Sequence, residues 1–202
     1  MSDREARVIY RTATSLNGFV ADRNNSLAWL FAVEHDAEQQ SRYEQFLRSI
    51  NVFVEGSTTY EWVLRETNLL AEPSKWKGFY GDRPTFVFTT RDLPTPHRAD
   101  VRFVRGPVRD ALPSIRAAAS GGDIWVAGGG DLAGQFFDAG ALDRVDVAIA
   151  PVTLAEGAPL LPRTIDSSRL RLIDVVSEGQ FVSARYAVEP AARSGSRETA
   201  AP

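Results

Sequence analysis

The spacing of apolar residues changes repeatedly along this chain, and each change predicts a strand or a helix. Val8 to Ala13 is apolar and β-branched, which predicts a strand. Thr14-Ser15-Leu16-Asn17-Gly18 breaks it before Phe19-Val20-Ala21, and Asn17-Gly18 is a turn dipeptide. After the polar loop Asp22 to Asn25, Ala28 to Val33 is an apolar stretch. Tyr43, Phe46, Leu47 and Ile50 then recur at helical spacing, predicting an amphipathic helix from Asp36 to Ile50 with acids in its first turn.

Asn51 to Glu55 reads as a second strand, and Gly56 followed by Ser57-Thr58-Thr59 as a helix start. Leu70 to Pro84 has no period and reads as an irregular connection. Thr85 to Thr89 and Val101 to Val104 read as strands, and Asp110 to Ala119 as a helix buried along Leu112, Ile115 and Ala119. Ile124 to Ala127 is an apolar run stopped by Gly128, Gly129 and Gly130, after which Leu132, Phe136 and Phe137 fall on one helical side. Arg144 to Ala150 alternates as a strand, Glu156 to Pro159 reads as loop, and Leu170 to Val176 and Gln180 to Val188 form a hairpin through Glu178-Gly179. Strands alternating with helices and closed by a hairpin predict an α/β sheet, mostly parallel, with an antiparallel edge. Residues 1–189 read as one domain and 190–202 as a disordered tail without periodicity.

Composition narrows the chemistry. The 202 residues, 44% hydrophobic and 24% charged, suit one domain with a sizeable core. A net charge of −3 without a basic block argues against nucleic acid or an anionic membrane surface as partner. The absence of cysteine removes disulfides, thiol nucleophiles and thiolate metal sites, and His35 and His97 stand in no metal-ligand spacing, so no metal is expected. No signal-peptide pattern or membrane-length apolar stretch is seen, which makes the cytoplasm the expected compartment.

The glycine turn is the candidate site. The first N–H groups of a helix lack internal partners and carry partial positive charge, and glycines let an anion reach them. The other reading of Gly128 to Gly130 is a plain strand-to-helix reversal, and the pattern is not the GxGxxG fingerprint. A second strand, glycine and helix start at Gly56 suggests a shared cleft. Arg91, just past a strand end, is either a phosphate ligand or an ordinary surface arginine, and His35 either an acid–base group or a cap neighbour.

Several of these pieces together resemble the dihydrofolate reductase-like family, in its branch containing the reductase domain of riboflavin biosynthesis. They are TATSLNGFVA (12 to 21), VFVEGSTTYEWV (52 to 63), FVFTTR (86 to 91), DIWVAGGGDLAGQFF (123 to 137) and GALDRVDVAIAPVTLAEGAPLLP (140 to 162). The resemblance implies a three-layer fold with helices on both sheet faces, and an NAD(P)H-dependent oxidoreductase passing hydride to a small heterocyclic substrate, riboflavin-pathway-like or pterin-like. It implies NADPH as cofactor, with NADH possible. Ala127, Gly128, Gly129, Gly130, Asp131 and Leu132 would wrap the pyrophosphate, with a cis peptide between Gly128 and Gly129. Gly56, Ser57, Thr58 and Thr59 would hold phosphates, Thr89, Thr90 and Arg91 would lie beside the adenosine end, and Ala13, Asn17 and Gly18 would border the nicotinamide.

This chain departs from the family where it matters for specificity. Ser57-Thr58 replaces an Arg-Lys pair, which opens the choice between NADPH and NADH. Asn17 stands where riboflavin-type reductases carry Asp, and Asp143-Arg144 replaces Asp-Glu. Reduction of a C=N or C=O bond also needs a proton. Asp36 and Asn17 are the catalytic candidates, Asp36 as proton donor ahead of Glu38 or ordered water, while the alternative role of Asp36 is to complement the helix dipole. The alternative function is a non-catalytic nucleotide-binding module that keeps the cleft. The resemblance also implies a homodimer joined through the C-terminal strands.

Overall fold

The chain folds as a three-layer α/β sandwich, described by a computed structural model for residues 6–34 and 37–190. In order, the elements are β1 (Val8–Ser15), β2 (Phe19–Asp22), α1 (Ala28–Phe31), α2 (Ala37–Ser49), β3 (Ile50–Gly56) and α3 (Ser57–Glu66). A 3-10 turn (Pro73–Lys75) leads into α4 (Trp76–Tyr80), followed by β4 (Thr85–Phe88), β5 (Val101–Val104) and α5 (Val108–Ala119). The glycine turn lies between β6 (Asp123–Gly128) and α6 (Gly130–Asp138). The rest comprises β7 (Arg144–Ala150), β8 (Gly157–Pro159), β9 (Leu170–Glu178) and β10 (Phe181–Val188).

The main sheet runs β5-β4-β3-β6-β1-β7-β10-β9. Its first six strands pair parallel, and β10 pairs antiparallel with β7 and β9, so the mostly parallel sheet with an antiparallel hairpin is present. Alternation along each strand splits the core in two, as a pleated backbone demands. Val8 and Tyr10, Val52 and Val54, Ile124 and Val126 point to the face covered by α5 and α6. Ile9, Phe53 and Val87 point to the face covered by α2, α3 and α4. Burying a side chain such as Phe136 contributes about 2–3 kcal/mol, and the two cores together hold the layers in place.

Two expectations are corrected. The stretch read as an irregular connection contains α4, because Trp76 and Tyr80 sit one helical turn apart and are both buried, their rings stacked at 4.1 Å. Glu156 to Pro159, read as loop, contains β8, which pairs antiparallel with β2 outside the main sheet. Three residues ending in proline carry too little alternation to announce a strand. Smaller shifts concern helix ends: Ile50 belongs to β3, and α5 begins at Val108, two residues before the expected start. Among the described residues no helix is long and apolar enough to cross a membrane. His35, Asp36 and the tail from 191 onward lie outside the described residues.

Candidate functional site

A cleft of about 430 Å³ opens at the C-terminal ends of β3 and β6. Two helices begin in it, α3 with Gly56 as N-cap and α6 with Gly129. Glycine has no side chain to close the first N–H groups, so both helix starts present main-chain donors and the positive ends of their dipoles. Ser57, Thr58 and Thr59 add hydroxyls from the first turn of α3. Among the described residues no lysine or arginine lines the cleft.

Each glycine of the turn has its own reason. A Cβ at position 128 would meet Thr59 Oγ1 at 2.9 Å, because here β6 runs against the start of α3. At Gly129 a Cβ would meet no atom within 4 Å, so that side is open to the cleft. At Gly130 it would run into the carbonyl oxygens of Pro159 and Leu160. Gly130 thus lets α6 seat directly under β8, and backbone cannot yield as a flexible side chain would. Gly130→Ala is therefore expected to cost about 2 kcal/mol, read as a lowered midpoint in chemical denaturation. The peptide between Gly128 and Gly129 is cis.

Asp131 brings a negative charge to the start of α6, yet its carboxylate is drawn aside. The Gln135 amide (2.9 Å) and the Arg163 guanidinium (3.0 Å) bind it and hold its pKa below the ordinary carboxylate range. The β2–β8 ribbon roofs the cleft with Val20, Ala21, Ala158 and Pro159. Asn17 pins this ribbon: its amide donates to Leu154 O at 2.7 Å and its oxygen accepts from Leu154 N at 3.1 Å. Gly18, at φ +87°, makes the turn and accepts from Leu160 N at 2.9 Å.

The cleft brings together Gly56, Ser57, Thr58 and Thr59 with Ala127, Gly128, Gly129, Gly130, Asp131 and Leu132. Ala13, Asn17 and Gly18 do not line it, although Thr12 beside Ala13 does. Thr89, Thr90 and Arg91 follow directly on Phe88, which does line it. The Thr89 hydroxyl accepts from Arg91 N at 2.9 Å, and Arg91 grips both oxygens of Glu61 at 3.0 and 2.6 Å. Thr90 is exposed. Glu38, on α2, pairs with Arg42 at 2.9 Å, and Asp36 lies outside the described residues.

Sequence reasoning missed Tyr10, Thr12, Asn25, Leu27, Trp62 and Gln135 as lining residues. Trp62 and Gln135 each lie one turn beyond a recognised helix start, a signal that was available. Tyr10 and Thr12 reach the cleft through the pairing of β1, and Asn25 and Leu27 from the connection between β2 and α1. Tyr10, buried with its pKa pushed up by desolvation, donates to Leu160 O at 2.8 Å and fixes the roof from below. Phe31 stacks on Trp62 at the cleft's wall, centroids 6.1 Å apart and planes 14° from parallel.

Residues 6–180 match the family model described as the RibD C-terminal domain. The uncharacterized protein YwjB of Bacillus subtilis is 28% identical over 183 residues, spanning 90% of this chain and 98% of that protein. Among solved structures, a Shewanella sp. PV-4 protein named for riboflavin biosynthesis superposes with a TM-score of 0.72 at 21% identity, covering 91% of this chain and 99% of its own. Dihydrofolate reductase from Enterococcus faecalis, complexed with NADP(H) and RAB-propyl, gives a TM-score of 0.58 at 15% identity, with 91% and 95% covered.

Proposed function

The chain belongs to the RibD C-terminal domain family, and from that premise we propose that it is an NAD(P)H-dependent reductase passing hydride to a small heterocyclic substrate of riboflavin-pathway or pterin type. One observation carries the reading: two helices capped by glycine, Gly56 and Gly129, start in a single cleft that no basic side chain lines among the described residues. Such a pair of N-termini suits a pyrophosphate, whose two charges each meet main-chain donors. The open side of Gly129 leaves room for it, and the Ser57, Thr58 and Thr59 hydroxyls add donors.

When bound, the nicotinamide supplies the hydride. The protein's part is to hold the phosphates at Gly56–Thr59 and Gly128–Leu132, and to exclude water beneath the β2–β8 roof that Asn17 and Tyr10 secure. Thr89, Thr90 and Arg91 would meet the adenosine end, where Arg91 would have to leave Glu61 to reach a 2′-phosphate. NADPH is the proposed cofactor on the family's pattern, and the hold of Glu61 on Arg91 is the reason NADH is accepted as well.

Of the four tryptophans only Trp62 lines the cleft. Titration with NADPH is expected to quench part of the tryptophan fluorescence in wild type and much less in Trp62→Phe. Equal quenching in both, or none at near-millimolar cofactor, would count against the reading. A second reading, nucleotide binding without turnover, is favoured by one observation. Asp131 and Tyr10, the titratable residues of the cleft wall, are both engaged elsewhere. Oxidation of bound NADPH in a screen of pterins and aminopyrimidines separates the two. The proposed homodimer would join along β9 and β10, where Leu172, Val175 and Val182 are exposed, and sedimentation measures it.

A further inference from the structure

On the sheet face covered by α2, a separate cavity of about 290 Å³ opens between that helix and strands β1, β7, β10 and β9. It backs onto the cleft across β1: Tyr10 and Thr12 line the cleft, whereas Arg7 and Arg11 line the cavity. Side chains alternate in this way along any strand.

Five guanidinium groups line the cavity with three carboxylates, and two of the five, Arg11 and Arg185, form no hydrogen bond to a carboxylate among the described residues. Arg7 is committed to Asp123, with contacts of 3.1 and 2.6 Å. Arg42 is shared between Glu38 and Glu178 at 2.9 and 3.2 Å. Arg144 takes both oxygens of Asp146 at 2.8 and 2.9 Å. Arg185 Nε reaches the same carboxylate at 3.6 Å, an ion pair too long for a hydrogen bond, and this buried nitrogen has no hydrogen-bond partner although 42% of the side chain is exposed. Arg11 forms no ion pair or side-chain hydrogen bond among the described residues; its guanidinium lies over the Phe46 ring, 4.5 Å from the centroid. Burial pulls the Arg11 pKa below its usual value, a sign that the cation is poorly solvated where it stands. Asp146 and Glu178 attract the Arg11 cation without a direct hydrogen bond, and a bound oxyanion would supply the partner it lacks.

We propose that this cavity is a second binding site, for a small tetrahedral oxyanion: inorganic phosphate or the phosphate of a small monoester. Guanidinium forks match phosphate oxygens, and a tetrahedral anion presents acceptors in several directions at once. That suits donors arriving from β1 (Arg11) and from β10 (Arg185), whereas a flat carboxylate would satisfy one fork. Asp174, opposite Arg185 in the β9–β10 register, forms no ion pair among the described residues and adds a negative charge to the cavity wall, which favours a compact anion over a larger one.

The proposal does not depend on the reductase reading. Calorimetric titration with inorganic phosphate up to about 10 mM would use wild type, Arg11→Met, Arg185→Met and Ser57→Asp, the last placing a repelling charge in the cleft. Ser57→Asp is expected to retain phosphate binding at the cavity with the wild-type affinity, whereas either arginine variant binds there about tenfold or more weakly. Arg11→Met keeps an unbranched side chain beside Phe46 without the charge, and Arg11→Lys is expected to fall between it and wild type. Absence of binding overturns the proposal. So does binding that is lost in Ser57→Asp and kept in both arginine variants, since the phosphate would then sit in the cleft. A dimer in sedimentation that Arg185→Glu dissociates, with no phosphate bound by wild type, would instead make the cavity an interface between copies. Separately added glucose 6-phosphate distinguishes a monoester from free phosphate as the preferred source.

Discussion

Ser57→Asp is expected to lower NADPH affinity about a hundredfold while leaving the fold slightly more stable. Ser57 is the first residue of α3 and lines the cleft. An acid in the first turn complements the helix dipole and contributes about 0.5 kcal/mol. The same charge stands where the pyrophosphate is proposed to meet that helix. Two like charges about 5 Å apart at an effective dielectric near 20 repel by about 3 kcal/mol, which is about two factors of ten in affinity. Binding and stability therefore move in opposite directions, an outcome that general damage to the fold would not produce. Fluorescence titration reads the first and chemical denaturation the second; unchanged affinity would sink the assignment of α3's start to the phosphates. Asp131 shows how the protein itself avoids this conflict at α6. It bears a carboxylate in the first turn, and the Arg163 guanidinium and the Gln135 amide occupy both of its oxygens.

Local sequence carried most of the parts and little of their arrangement. The strand, glycine and helix-start units at Gly56 and at Gly128 to Gly130 were legible because a change of period meets glycine at one point, and both open into the same cleft. The two-faced core was also legible, since alternate residues of β3 and β6 are apolar on both sides. The roof was not. β8 is three residues long and gains its meaning only from β2, more than a hundred residues earlier. Asn17 illustrates the same limit: its turn was evident, but its two bonds to Leu154 depend on pairing across that distance. The charged cavity was equally hidden. Arg11 and Arg185 read as polar positions on separate strands, and only the order β1-β7-β10 brings them to one space. Asp36 was singled out through the resemblance and lies outside the described residues, so its proposed part in proton transfer rests on the family pattern.

Glu55 gives the protein a pH dependence that a single substitution should remove. It is the last residue before Gly56, it is buried, and among the described residues no cation pairs with it. One carboxyl oxygen accepts from the Tyr80 hydroxyl at 2.9 Å, and the other is buried without a partner. Phe53 and Trp76 pack on the same tyrosine, which keeps water away. Burial pushes the Glu55 pKa from 4.5 up to about 7, the Tyr80 bond opposing it only in part. The sign follows from proton linkage. Below pH 4.5 the group is protonated in both folded and unfolded chains and imposes no penalty. Between 4.5 and about 7 the unfolded chain releases a proton that the folded chain keeps, so stability falls by about 1.4 kcal/mol per pH unit. Above about 7 the full penalty, about 3 kcal/mol, is in place. Glu55→Gln keeps an oxygen for Tyr80 and buries an amide N–H₂ without an acceptor, at a cost of about 1 kcal/mol at every pH. The variant is therefore expected to be less stable than wild type at pH 4.5 and about 2 kcal/mol more stable at pH 8. Denaturation of both proteins across this range measures the difference, in which every other titrating group cancels. Parallel curves would place a charged Glu55 in the fold at neutral pH, with a buried negative charge directly behind the helix start proposed to hold the phosphates. A neutral Glu55 leaves that helix start free to act on an anion alone, so the crossing of the two stability curves bears on the cofactor site as well as on the core.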